Sequence, residues 1–549
     1  MVNMIIITKY KFLLLSLLLS FVSVFQLIGS GLPPTHDGEY HVIRFYEFQK
    51  VIADGNIYPR WSPDLNNGFG VPLFNYVYPL PNYFSSFLHL FGISFIDSFK
   101  LSLIIATVLG SGFFYLWARI FWGNLGGLVS SVFYAFSPYH LLDIYIRGSV
   151  GEVWALAIFP AFLWAITIYI KTKNPKFFPI SAVLFALLIF SHNILALMFS
   201  LFAFFYTAYL VYKEKQRREI VIHCILIALL GLSLSSIFWL PALLEKKYVV
   251  GLEIYDITNN FPYLYELLIP SWGSGFSEGL LRDKLSFQVG IANLFVIFLS
   301  IAMLFFNRKK DSNKSWILFF LLWFFFIFFL MLRSSQFIWE NIPLMNYFQF
   351  PWRLLSLEIL VSSVLAGGVV YFSKAKKVVA GVLIAIAILL GIGYAKPAHF
   401  MDRDDKYYIT RSNFIDGTNS PGNTFSTAWF KGAKKNENKL ISIAGSADIE
   451  IEKVESSNYL AEVRAKENSI ILINTAYFPG WSVLIDNKKA KIHQTEDGLF
   501  SFSVPKGKHI VEVRLEETPI QRIGTVAFYA SSIILLVLFG KAIFVTIKK

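Results

Sequence analysis

The sequence predicts a polytopic α-helical membrane protein of about twelve spans, with a small extracytoplasmic β-sandwich before the last span. Three observations carry this. Hydrophobic residues make up 55% of the 549 residues and charged residues only 15%, against about a quarter charged in a soluble domain. Apolar runs of about 20 residues, the length that crosses a bilayer, recur along the chain. Between 396 and 520 the pattern changes to short stretches of alternating polar and apolar residues.

The runs place spans at about 12–29, 97–119, 125–138, 152–170, 177–191, 194–212, 220–240, 288–307, 316–332, 354–373, 378–395 and 522–546. The first follows Lys9 and Lys11 and resembles a signal peptide in its flanks. Its length and the lack of a small-x-small cleavage site favour an uncleaved span. Cys224, the one cysteine, lies inside an apolar run; it excludes an intrachain disulfide and a cysteine metal site.

Orientation follows from the loops. KTKNPK (171–176), KEKQRRE (213–219), NRKKDSNK (307–314), SKAKK (373–377) and the terminal IKK are rich in Lys and Arg. Alternate loops are longer, aromatic and poorer in lysine. The positive-inside rule then puts both termini in the cytoplasm of a cell-membrane protein. The net charge of +13 sits in these short clusters, which argues against a nucleic-acid partner, since that would need one basic face.

Three outer segments remain: 30–96, 241–287 and 396–520. The organisation expected is a membrane domain over 1–395, a β-sandwich over 396–520 and a final span with its tail over 521–549. Within 396–520, the stretches DIEIEKV, YLAEVRA, SIILINTA, WSVLID, LFSFSV and HIVEVRL alternate with period two. Asp486-Asn487, Asp497-Gly498 and Pro505-Lys506-Gly507 supply turns between them, as in an antiparallel sandwich. The less regular start, 396–440, reads as a loop over the membrane domain.

The chemistry-bearing residues gather in the outer segments. THDGEYHVIRFYEF sets His36, Asp37, Glu39, His41 and Arg44 just past span one. If 38–50 is helical, Asp37, His41 and Arg44 share a face. A carboxylate there could act as general base or metal ligand, or simply cap the helix. The H-x4-H spacing is not that of a zinc protease. In 55–83, Gly, Pro, Asn and many aromatics surround Arg60 and Asp64; membrane anchoring and sugar or lipid binding are the two readings. DIYIRGSVGE brings Asp143, Arg147 and Glu152 to membrane depth, where an Asp143–Arg147 ion pair competes with phosphate binding by Arg147. His192 and Asn193 end span five. Arg353 opens span ten, either snorkelling to the interface or clamping a phosphate.

Taken together, THDGEYH (35–41), GNIYPRWSPDLNNGFGVPLF (55–74), DIYIRGSVGE (143–152), SHN (191–193), PSWGSG (270–275), SFQVG (286–290) and QFPWR (349–353) resemble one family. It comprises the bacterial and archaeal membrane proteins labelled 6-pyruvoyl-tetrahydropterin synthase-related. That family looks like a branch of the GT-C superfamily of polyprenyl-phosphate-sugar glycosyltransferases. YFPGWSVLIDNKKA and DGLFSFSVPKGKHIVEVR, within 477–514, are similar to the β-domain that closes related GT-C-like proteins. The resemblance implies a catalytic acid in the first outer loop, a position held here by Asp37 with Glu39 behind it. D-G-E matches the family's paired acids loosely, so a divalent metal is left open. The label implies no pterin synthase activity, because nine scattered histidines and no span-free stretch could build that enzyme's site.

The function expected is transfer of a sugar from a polyprenyl-phosphate donor to a glycan, lipid or protein acceptor, with membrane lipid around it. The rivals are a lipid or polysaccharide transporter, which needs polar groups at mid-membrane, and a non-catalytic anchor presenting the sandwich.

Overall fold

In the computed structural model, residues 2–251, 257–277, 283–306, 311–410, 424–432 and 438–547 are described. The parts of the expected loops on 252–256, 278–282, 307–310, 411–423 and 433–437 lie outside them. Apolar runs become helices because backbone polar groups in a bilayer must be satisfied within the segment. In chain order these are α1 (Val2–Val24), α2 (Gly38–Ala53), α3 (Leu80–His89), α4 (Phe95–Ala135), α5 (Pro138–Leu142), α6 (Val150–Thr172), α7 (Phe177–Ser191), α8 (Asn193–Tyr212) and α9 (Arg217–Leu234). There follow α10 (Ser236–Leu244), α11 (Leu264–Leu268), α12 (Ile291–Phe306), α13 (Lys314–Met331), α14 (Gln336–Asn341), α15 (Leu355–Phe372), α16 (Lys376–Gly391), α17 (Asp405–Ile409) and α18 (Pro519–Ile547).

Among the described residues eight helices are long and apolar enough to cross a membrane, or nine if α9 and α10, bent by 74°, form one crossing. The remaining expected spans are shorter apolar helices, α7 and α12, and the arm of α4 after Gly123. That glycine has φ 70° and ψ −177° and breaks the helix. A Cβ at Gly127 would lie 2.8 Å from that of Arg119, so the chain folds back there, as the separate runs 97–119 and 125–138 predict. α4 packs against α1, α6 and α15 at the centre of the bundle, whereas α18 is peripheral.

The β-module caps one end. Two antiparallel sheets form it, in the orders β1-β4-β8-β7 and β2-β3-β9-β5-β6. The strands are β1 (Leu440–Ala444), β2 (Ala447–Val454), β3 (Asn458–Ala465), β4 (Ser469–Ile473), β5 (Trp481–Ile485), β6 (Lys488–Lys489), β7 (Ile492–Gln494), β8 (Phe500–Val504) and β9 (Gly507–Leu515). Asp486 and Asn487 both have positive φ, 49° and 64°, as a two-residue hairpin turn between β5 and β6 requires.

The first loop does something the sequence reading did not anticipate. Trp61 and Phe69 are neither membrane anchors nor ligand platforms: they are buried in the core of the β-module. Trp61 meets Trp481 edge to face at 5.4 Å, and Ala476 donates its N–H to Phe69 O at 2.7 Å. Asp54 accepts from the Ser456 N–H at 2.8 Å. At 396–410 the chain lies over the helices, with Asp405 accepting from the Phe95 and Ile96 N–H groups that open α4. Since α6, α8, α12 and α15 begin at the β-module end, these helices end, and the described parts of the basic loops after them fall, at the opposite end of the bundle.

Candidate functional site

Four separate segments converge where α6 begins. Glu152, in the first turn of α6, is fully buried and takes Arg147 bidentately, with Nη1–Oε2 and Nη2–Oε1 both 2.7 Å. Arg353, in the turn before α15, brings its Nε to 3.0 Å from Oε1 of the same carboxylate. His192 Nε2 lies 3.9 Å from it, and the Tyr139 hydroxyl donates to Oε2 at 3.2 Å. Arg147 also pairs with Asp143, as the spacing of four predicts. Trp352 lies under both guanidiniums, 5.1 Å from that of Arg147 and 5.9 Å from that of Arg353. Two cations on one buried carboxylate offset its desolvation, which neither could do as well alone.

Arg147 closes a π-helical turn, Asp143–Arg147, and Gly148 follows in the left-handed region with φ 63°. A side chain there would put its Cβ 2.2 Å from Thr35 Oγ1. The glycine therefore lets the first loop lie flat on this turn. His36 N–H donates to Ile146 O and Asp37 N–H to Arg147 O, both at 2.9 Å. Gly148→Ala is expected to destabilise the protein by at least about 1–2 kcal/mol, the cost of a Cβ in that conformation plus the clash. A thermal-unfolding midpoint in detergent measures it.

Asp37 occupies the N-cap position of α2 but its side chain makes no capping bond. Capping alone does not account for this residue. Desolvation pushes its carboxyl above the ordinary aspartate range, against the opposing pull of Arg147, Arg44 and His36. Arg44, half-buried two turns along α2, has no carboxylate partner among the described residues, and its Nε is buried without a hydrogen bond. His41 is buried against Phe99, Phe45 and Tyr78, and that burial holds it well below the ordinary histidine range. It is a neutral packing residue beneath the site.

Other expected site residues go elsewhere. Glu39 starts on the opposite side of α2, about 200° round from Asp37, where its charge acts on Tyr408 of α17. The D-G-E pair therefore does not converge as a chelate. Among the described residues no group of three His, Cys, Asp or Glu side chains is placed to hold a metal ion. Arg60 is tied to Asn75 Oδ1 at 3.1 Å, Ile237 O at 3.4 Å and Glu517 at 3.6 Å, joining the first loop to α10 and the root of α18. Asn193 is exposed and holds the Ile194 N–H. His36 is exposed, its Nε2 2.8 Å from Ser274 O of the PSWGSG loop.

Two residues escaped the sequence reading. Tyr78 lies within the electrostatic reach of Arg44, Asp37, Glu152 and Arg147 at once, with its ring 5.0 Å from that of His192 and close against Gly151. Nothing distinguishes it from its neighbours in an aromatic run. Glu358 is fully buried in the first turn of α15, at the end of that span rather than its centre. A single carboxyl at the start of an apolar run was the available signal.

The fold and site define a polytopic membrane protein with a buried Arg–Glu–Arg cluster beneath a β-module. The family described as "6-pyruvoyl-tetrahydropterin synthase related domain; membrane protein" matches residues 74–398, and the chain belongs to it, as its motifs suggest. Residues 433–516 match a second family, "Bacterial membrane protein YfhO". An uncharacterized protein of Lactococcus lactis subsp. cremoris (strain MG1363) is 21% identical over 317 residues, 56% of this chain; the chain spans about half, 51%, of that relative's length. Among solved structures, the apo oligosaccharyltransferase of Archaeoglobus fulgidus is similar at 14% identity and TM-score 0.41, over 74% of this chain and 59% of that one. ArnT from Cupriavidus metallidurans, bound to undecaprenyl phosphate, is similar at 11% identity and TM-score 0.31, over 82% and 96%.

Proposed function

We propose that this protein transfers a sugar from a polyprenyl-phosphate donor to a hydroxyl acceptor at the β-module end of its bundle. The observation that carries the reading is a carboxylate that caps nothing, Asp37, within the electrostatic reach of Arg44, a guanidinium with no salt bridge among the described residues, beside the Arg147–Glu152–Arg353 cluster. The motif resemblance to polyprenyl-phosphate glycosyltransferases supports the same reading. Basic loops at the opposite end support an extracytoplasmic position for this end in the cell membrane, with both termini inside.

In this reading Asp37 takes the proton of the acceptor hydroxyl as its oxygen attacks the anomeric carbon. The bond from that carbon to the phosphate oxygen breaks with inversion, and the electron pair leaves on the polyprenyl phosphate. Arg44, which makes no salt bridge among the described residues, receives the phosphate. Arg147 and Arg353 are committed to Glu152 and shape the site from behind. This shifts the phosphate role expected of those two arginines onto Arg44. The Tyr78 phenol, kept protonated by burial, supplies a further donor. Fixed donors in a desolvated site act most strongly on charge that develops in the transition state.

Arg44→Ala is expected to raise KM for the lipid-linked sugar about tenfold or more, the scale of one lost charged hydrogen bond, while the fold persists. Transfer from radiolabelled polyprenyl-phosphate sugar into membranes measures this; unchanged KM removes Arg44 from the donor site. The pH profile gives a second check. A base must be deprotonated, and the Asp37 carboxyl is raised. Activity should therefore fall on acidification at a higher pH than an ordinary aspartate, about 3.9, would give.

A further inference from the structure

A second cavity, apart from this cluster, opens where the β-module meets the root of α18. It has a volume of about 810 Å³ and is lined by Lys489, Glu516 and Glu517 of the module side and by Arg522, Ile523 and Val526 of the helix. Its acids are already neutralised: Glu516 by Arg514 at 2.7 Å and by Lys489 at 3.4 Å, Glu517 by Arg60 at 3.6 Å. Arg522 is exposed and has no ion-pair partner among the described residues, so of the cavity's two cations and two carboxylates it alone is left without a counter-charge. Trp481 also lines the cavity; it is 5% exposed and its indole N–H has no acceptor. Below the charges, Ile523 and Val526 are each 62% exposed on the peripheral span. Since α18 enters the bilayer here, the cations stand at headgroup level and the apolar pair at the depth of the acyl chains.

We propose that this cleft holds the phosphate headgroup of an anionic phospholipid, with Arg522 and Lys489 on the phosphate and an acyl chain along Ile523 and Val526. The uncommitted charge of Arg522 selects an anionic lipid over a zwitterionic one, and guanidinium suits a phosphate geometrically. The site binds lipid whether or not the protein transfers sugar. Its effect is to brace the β-module against the span that follows it.

Native mass spectrometry of the full chain from nanodiscs of mixed phosphatidylglycerol and phosphatidylcholine tests this. Retention of phosphatidylglycerol over phosphatidylcholine is expected, falling about tenfold in the Lys489→Ala/Arg522→Ala double variant. Val526→Trp, which fills the apolar part and leaves the cations in place, should lose the lipid as well, and it carries the test should the double variant fail to fold. Equal retention of both lipids, or undiminished retention in Val526→Trp, overturns the proposal. Displacement of the lipid by millimolar inorganic phosphate would also overturn it, by marking a site for free anions.

Discussion

Glu152→Ala is expected to lower stability by about 3–5 kcal/mol, the cost of leaving buried charges without their counter-ion. The carboxylate is the shared partner of Arg147 and Arg353, and both arginines are themselves more than nine-tenths buried. Without it Arg147 keeps Asp143, while Arg353 keeps only Gln349 Oε1 and a longer contact to Phe348 O. The loss should appear as reduced yield of monodisperse protein and a lower thermal midpoint. Adding Arg353→Met to Glu152→Ala should recover part of it, because an apolar side chain of similar length needs no counter-ion. A single variant as stable as the parent would show that the cluster does not hold these segments together.

Asp37→Asn should behave in the opposite way. Its side chain makes no capping bond, so the fold should be kept to within about 0.5 kcal/mol. Transfer activity should fall by about 10²–10⁴, the usual contribution of a positioned base. Glu39→Gln, on the far side of α2, should stay within a few-fold of the parent. Loss at Glu39 with none at Asp37 would reverse the two roles.

Much of this fold is legible in the sequence because a bilayer enforces local rules. Apolar length gives the crossings, and lysine-rich loops fall at one end because the helices alternate. Where the local signal is weak, the prediction blurs: the bend between α9 and α10 at Ser235 has no proline or glycine at it to mark it. The β-module was visible in its alternation and in turns such as Asp486-Asn487. Trp61 and Phe69 were misread because an aromatic buried under a neighbouring module and one facing a bilayer interface look identical in composition.

The site was half legible. Ionisable residues flanking apolar runs single out Asp37, Arg147, Glu152 and Arg353. The spacing of four pairs Asp143 with Arg147. The Glu152–Arg353 contact joins positions two hundred residues apart, and no periodicity encodes it. For the same reason the sequence could not say which arginine lacks a carboxylate. Arg147 and Arg353 looked available and are engaged, whereas Arg44 was singled out only as sharing a helix face with Asp37 and His41.

The most direct measurement reconstitutes the full chain in proteoliposomes with radiolabelled polyprenyl-phosphate sugar and native membrane acceptors. It follows the bond between sugar and phosphate. The account predicts release of polyprenyl phosphate together with a labelled, sugar-bearing product, at a rate that collapses in Asp37→Asn. Equal rates in both proteins, or movement of the intact lipid-linked sugar across the bilayer without cleavage, would contradict it.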